Sequence, residues 1–202
     1  MPTYAEGKVT IGFSKPYVAA YTATSNVITY TSVQRLARGV NISIEVESSD
    51  ASNFYADNIV AETEAGTFTS ATATLTVDGL FKTARQFILG LQTAGEDGFS
   101  DVLADATTPT VGVGFIIKSM SNHNTIYTPV VLYKCMFKEP TEEAATQEDE
   151  IEWQTLELEA NVMRSDLANG AWKAIGNDYS TEAAAESALL TKLGYVEPEP
   201  GE

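Results

Sequence analysis

Gly39-Val40-Asn41-Ile42-Ser43-Ile44-Glu45-Val46-Glu47-Ser48 alternates without a break, with Val40, Ile42, Ile44 and Val46 on one side and Asn41, Ser43, Glu45 and Glu47 on the other. A period of two is the repeat of a pleated strand, so this stretch predicts a strand with one face turned inward. The next run, Thr67 to Val77, predicts another. Thr69, Ala71, Ala73, Leu75 and Val77 share one face, Phe68, Ser70, Thr72, Thr74 and Thr76 share the other, and β-branching favours the extended form. Neither face is strongly apolar, which suits a strand that meets other protein on both sides.

Further along, Val111 to Ser119 and Ile126 to Phe137 are the most apolar segments. They predict neighbouring antiparallel strands joined through Ser121-Asn122-His123-Asn124, at the centre of the core. Ile151 to Met163 also alternates, with Glu152, Gln154, Leu156, Leu158, Ala160 and Val162 on one face. That face changes character halfway, which predicts a bulge or an end covered by a partner. Shorter strands are expected at Lys8 to Phe13, Val18 to Thr22 and Ala171 to Ile175. Two segments carry helical spacing. In Leu80 to Leu91 the apolar residues recur at three and four, with Asp78 as the candidate N-cap and Gly90 near the end. Thr181 to Leu193 follows Ser180, stops before Gly194 and has a small apolar face, so it is expected at the periphery. Ser49 to Gly66 and Lys138 to Glu150 are expected as loops. The fold class is therefore mainly β: an antiparallel β-sandwich or partial barrel with a flanking helix (Leu80–Leu91) and a C-terminal helix. A single domain is expected over 1–196, with an exposed acidic tail over 197–202.

Composition narrows the function classes. At 202 residues, 44% hydrophobic and 20% charged, the chain has the makeup of an ordinary globular protein. Its longest apolar runs fall far short of a spanning helix, and Met1-Pro2-Thr3-Tyr4-Ala5-Glu6 lacks a basic and then apolar leader. The expectation is a protein made and kept in the cytoplasm unless something carries it out, with no membrane partner. The formal charge is −16. Lys8, Lys15, Arg35 and Arg38 crowd the first 38 residues against Glu6 alone, while seven acids and no Lys or Arg lie between Gly39 and Phe81. Such segregation argues against a nucleic-acid grip, which needs clustered cations. It suits head-to-tail packing of a basic edge on an acidic one.

Candidate chemistry is sparse. One cysteine, Cys135 in an apolar stretch, reads as a buried thiol, and one histidine, His123, lies in a turn-like run. Neither a zinc site nor a nucleophile with its base can be assembled from them within one chain. Gly112-Val113-Gly114 lies inside a strand signal and makes no dinucleotide fingerprint, so its glycines are expected to admit another backbone closely. Glu142-Glu143 and Glu148-Asp149-Glu150 lack the alternation of a calcium loop and read as a solvated face. No enzyme, cofactor or metal is expected. The aromatics Phe54, Tyr55, Trp153 and Trp172 lack surrounding cations for base stacking and are expected in core packing or subunit contacts.

Several stretches, in order, carry a resemblance: Asn53-Phe54-Tyr55-Ala56-Asp57-Asn58, Leu75-Thr76-Val77-Asp78-Gly79-Leu80, Val111-Gly112-Val113-Gly114-Phe115, and Tyr133-Lys134 through Pro140-Thr141-Glu142-Glu143-Ala144-Ala145-Thr146-Gln147 to Ile151-Glu152-Trp153-Gln154-Thr155. From about Ala5 to Trp172 the chain resembles the major tail proteins, or tail tube subunits, of long non-contractile-tailed bacteriophages of Gram-positive hosts. It departs from that pattern at Glu148 and Leu156, where a glycine and a proline are common. The resemblance implies a virion structural protein whose copies join sheets edge to edge into hexameric rings, which stack into a hollow tail tube. It implies a tape measure protein inside the tube, tail terminator and distal tail proteins at its ends, and DNA passing through the lumen during ejection without specific binding. The segment Ser49 to Gly66 sits where the family's inter-ring arm lies, with Phe54, Tyr55, Asp57 and Asn58 as contact candidates. Glu142, Glu143 and Trp153 are further candidates. Carboxylates along a lumen would repel phosphates. Two other classes stay in competition: another virion part, such as a tail terminator or decoration protein, and a carbohydrate-binding β-sandwich using Trp153 or Trp172.

Overall fold

In the computed structural model, residues 7–91, 98–142, 146 and 153–195 are described. The tail expected over 197–202 lies outside them. The strands are β1 (Val9–Thr24), β2 (Val27–Arg35), β3 (Gly39–Ser48), β4 (Ser52–Ala56), β5 (Ile59–Glu64), β6 (Phe68–Val77), β7 (Val111–Ser121), β8 (Asn124–Phe137), β9 (Leu156–Met163) and β10 (Lys173–Ile175). The helices are α1 (Lys82–Leu89) and α2 (Glu182–Lys192).

The centre is the β7–β8 hairpin that the apolar runs predict. Asn122 and His123 take φ of 51° and 60°, a two-residue turn whose left-handed pair matches the twist of the strands it joins. Antiparallel pairing extends from this hairpin in both directions, in the order β2-β1-β7-β8-β9-β6-β3, with β10 pairing β8 beside β9. The two strands at the ends of this path, β2 and β3, are consecutive in the chain and joined by Leu36, Ala37 and Arg38 alone. So short a link forces the sheet to curl until its edges approach at one corner. There the Phe13 ring of β1 lies against Gly39 of β3, where any Cβ would clash with it, and Leu36 N–H donates to the Pro16 carbonyl at 2.9 Å. The expected mainly β, antiparallel fold with flanking helices is thus realised as a partial barrel.

Alternation along the central strands sorts side chains between two cores. Val111, Val113 and Phe115 of β7 face the barrel interior with Leu75, Val77, Leu132, Leu158 and Val162, and α1 adds Ala84, Ile88 and Leu89. Ile116, Val131 and Tyr133 face outward, where Ala185, Leu189 and Leu193 from α2 and its C-terminal end cover them. The second helix is therefore not peripheral. Its small apolar face is sufficient because Gly114 removes a side chain beneath it, as Gly112 does beneath Tyr30 of β2. A Cβ on Gly112 would lie 2.4 Å from the Tyr30 ring, and one on Gly114 2.8 Å from Leu189 and Leu193. What approaches these glycines is side chain, not the second backbone that the sequence suggested. Gly112→Ala is expected to cost about 1–3 kcal/mol by overpacking, because the ring it displaces also donates a buried hydrogen bond, Tyr30 Oη to the Tyr133 carbonyl, at 2.8 Å. Urea titration of the variant checks this.

Several expectations are corrected. The two short N-terminal strands are one 16-residue strand, bent by a bulge where Lys15 takes φ of 52°. β2 has no counterpart in the sequence reading. β9 begins at Leu156 and pairs with β6 in unbroken register, so the change of character before Leu156 marks the start of the strand and not a bulge. Ile151 and Glu152 lie outside the described residues. Phe81, not Asp78, is the N-cap position of α1, and it caps with no side-chain hydrogen bond. Asp78 instead accepts from the Arg38 backbone N–H at 2.9 Å and pairs with its guanidinium. Ser49 to Gly66 contains a hairpin, β4–β5, that forms a separate two-stranded sheet.

Candidate assembly interface

Among the surfaces that the described chain leaves uncovered are the sheet edges at β2 and β3 and the β4–β5 hairpin. Every residue of β4 and β5 is exposed. The tight turn is Asp57-Asn58, with φ of 53° and 63°. Phe54 and Tyr55 stand 64% and 63% exposed, and Ile59 and Val60 are exposed beside them. An isolated two-stranded hairpin is marginal in water at best, so one bearing four large apolar side chains gains most when another surface covers it.

The edges differ in build. Among the described residues β3 pairs only with β6, and its apolar face is incompletely used: Ile42 and Ile44 reach the core, whereas Val40 and Val46 stay exposed. The strand read most clearly from sequence is thus the sheet's free edge. Among the described residues β2 pairs only with β1, and it carries a bulge around Ser32, at φ of 54°. Outward from the barrel, β3, β6 and β9 present Glu45 across from Thr72, Glu47 across from Ser70, Glu157 across from Thr76 and Glu159, paired with Lys138, across from Thr74, clear of α2, which packs over β7 and β8.

The remaining candidates are scattered. Glu142 accepts from Arg85 on α1, which also pairs with Glu139 at 2.5 Å, so these acids brace the helix. Paired in this way, the Arg85 guanidinium is held above its ordinary value by its bond to Glu139, against the opposing effect of burial, with Glu142 adding to the rise. Glu143 lies outside the described residues, as does Glu148-Asp149-Glu150. Trp153 is 89% exposed, just before β9. Trp172 is stacked on Phe68, with centroids 4.7 Å apart and planes 3° from parallel, which takes one face of its ring into the core. Hydrogen-bonded or ion-paired groups also account for most of the N-terminal cations: Lys8 pairs with Asp178, Lys15 with Glu186 and Arg38 with Asp78. Charge segregation along the sequence is thus largely cancelled in space, which corrects the expectation of a basic edge. Arg35 remains, beside Tyr17 and Glu186 in a groove between β2 and α2.

The Lys15, Tyr17 and Glu186 cluster joins α2 to β1 and makes acid stability testable. Burial raises the Glu186 carboxyl, but hydrogen bonds from Lys15 and Tyr17 outweigh it and hold the group below the usual carboxylate range. Tyr17 is pushed up to about 12, by burial first and by Glu186 second. For a depressed carboxylate, the stabilisation is fully present above the unfolded value of about 4.3 and is lost as pH falls through the folded value. Glu186→Gln is therefore expected to lower stability at neutral pH and to flatten its decline below about pH 4.3, read by thermal melts across pH.

Sequence reasoning missed β2 and the corner at Leu36-Ala37-Arg38. No protein-family model matches the chain, and no curated protein is significantly similar to it.

Proposed function

We propose that this chain is a structural subunit that assembles with its own copies into hexameric rings, stacked into the hollow tail tube of a long-tailed bacteriophage. The observation that carries the reading is the pairing of two unpaired sheet edges, β2 and β3, with an apolar hairpin that no part of the described chain covers. Joining β2 of one copy to β3 of the next removes both free edges, and rotation closes such a contact into a ring. The family resemblance supplies the sixfold number and the arm that reaches the next ring. The polar, acidic outer face of β3, β6 and β9 suits a lumen wall, since carboxylates there repel DNA phosphates. In this reading the tape measure protein and the DNA are contents of the tube, and tail terminator and distal tail proteins close its ends.

A second reading keeps one observation: Trp153 is almost wholly exposed and could stack on a sugar. Trp153 fluorescence that shifts on adding cell-wall glycans would favour it. The tube reading predicts no such shift and a sedimentation coefficient that climbs with protein concentration past that of a single ring. A coefficient fixed at the monomer value over the whole range would count against assembly.

A further inference from the structure

Where α2 ends, the chain comes to the free edge of the sheet at β2. The β1–β2 hairpin closes through Ser25-Asn26, with φ of 50° and 65°, a two-residue turn that makes Thr24 and Val27 a hydrogen-bonded pair. Bonded and non-bonded pairs alternate from there, which puts Tyr21 and Tyr30 in a non-bonded pair. Tyr21 N–H accordingly turns the other way and donates to the Thr110 carbonyl at 3.1 Å, so the N–H and C=O of Tyr30 face outward from the edge. Arg35 faces outward too, since it is Leu36 N–H that donates across to the Pro16 carbonyl, at 2.9 Å.

Gly194, just past the helix, sits against that outward carbonyl of Tyr30: a Cβ placed on it would lie 3.1 Å from the oxygen. The next residue, Tyr195, lines the groove between β2 and α2 together with Val33, Gln34 and Arg35. The chain thus leaves α2 along the β2 edge, from Tyr30 towards Arg35.

The sequence that follows is Val196-Glu197-Pro198-Glu199-Pro200-Gly201-Glu202. At roughly 3.3 Å per residue, positions 196–202 reach about 23 Å, whereas β2 from Tyr30 to Arg35 takes about 17 Å. The two prolines stand two apart. Alternate residues of a strand turn their N–H groups to opposite sides, so Glu197, Glu199 and Gly201 can donate to β2 while Pro198 and Pro200, which have no N–H, occupy the outer side. An edge made this way offers a further strand no donor at those two positions. Glu197 and Glu199 also come beside Arg35, in a groove whose one acid, Glu186, is already bound by Lys15 and Tyr17.

We infer that residues 196–202 lie along β2 as an added edge strand in the free subunit, and that this strap must leave before β3 of a second copy can pair there. The inference rests on the tube reading for what the strap delays, and not for the strap itself. A strap closed about nine-tenths of the time slows exchange of the Tyr30 and Arg35 amides about tenfold and raises the concentration needed for ring closure by the same factor, because both require the open state.

Hydrogen exchange followed by NMR tests this, comparing the full chain with one stopped after Tyr195, at a concentration where both sediment as monomers. The stopped chain is expected to exchange the Tyr30 and Arg35 amides about tenfold faster and to form rings at a concentration lower by a matching factor. Unchanged amides at Val113 and Leu158 check its fold. Equal exchange at Tyr30 and Arg35 in the two chains would overturn the strap. Faster exchange with rings forming at an unchanged concentration would overturn its part in assembly. Faster exchange in a stopped chain that forms no rings at any concentration, as its parent forms none, would keep the strap and remove the tube reading.

Discussion

A chain carrying Phe54→Ser and Tyr55→Ser together should keep its fold and its melting temperature yet lose the ability to stack. Both side chains are exposed, on a hairpin that contributes nothing to either core cluster, so removing them leaves intrachain packing intact. In an assembly that covers them, each would bury a large apolar side chain worth about 1.5–3 kcal/mol. Losing both would then weaken the contact by roughly 3–6 kcal/mol, or about 10²–10⁴-fold in the concentration at which stacks form. Sedimentation velocity over a concentration series reads the loss, and a thermal melt reads the fold. A drop in melting temperature without a change in stacking would assign these aromatics to the monomer's own stability.

The converse effect is expected at the centre of the barrel. Phe115 is wholly buried, meets the Phe13 ring edge-on at a centroid distance of 5.6 Å, and sits among Leu132, Val130 and Leu158. Phe115→Ala removes most of that side chain from a site walled by strands on several sides, which limits collapse into the cavity. The cost should be about 3–5 kcal/mol, a large share of the roughly 5–15 kcal/mol by which domains are stable. Equilibrium unfolding in urea measures it. The contrast between positions 115 and 54 separates what holds the monomer together from what holds copies together.

That division also explains which parts of the molecule were legible in the sequence. β6 and α1 each have one face on a core, and burial imposes a period that can be read directly, whereas β7 and β8 are buried on both faces and show as the longest apolar runs. β4 and β5 have no buried face, so no period is imposed: Phe54-Tyr55 and Ile59-Val60 place apolar residues on both sides of the ribbon. The segment was therefore read as a loop, and the strands flanking the Asp57-Asn58 turn were not visible. β2 failed for a different reason. Its bulge at Ser32 shifts the register between Val18 and Ala20 of β1, so the alternation of Val27 to Tyr30 is cut short after four residues and Val33 rejoins the face of Ile28 and Tyr30 out of phase. The contact between Arg38 and Asp78, 40 residues apart, could not be read either, because it follows from the pairing of Gly39 with Val77 where β3 meets β6. Phe54, Tyr55, Asp57 and Asn58 were identified as a group and do form one hairpin, whereas Glu142 serves α1 through Arg85 and Trp153 stands alone.

Electron microscopy of the purified full chain at high concentration, in negative stain, tests self-assembly most directly. The account predicts sixfold rings and hollow tubes of stacked rings, with the hairpin bridging from each ring to the next. A field of monomers, unchanged when tail initiator proteins are added, would contradict it.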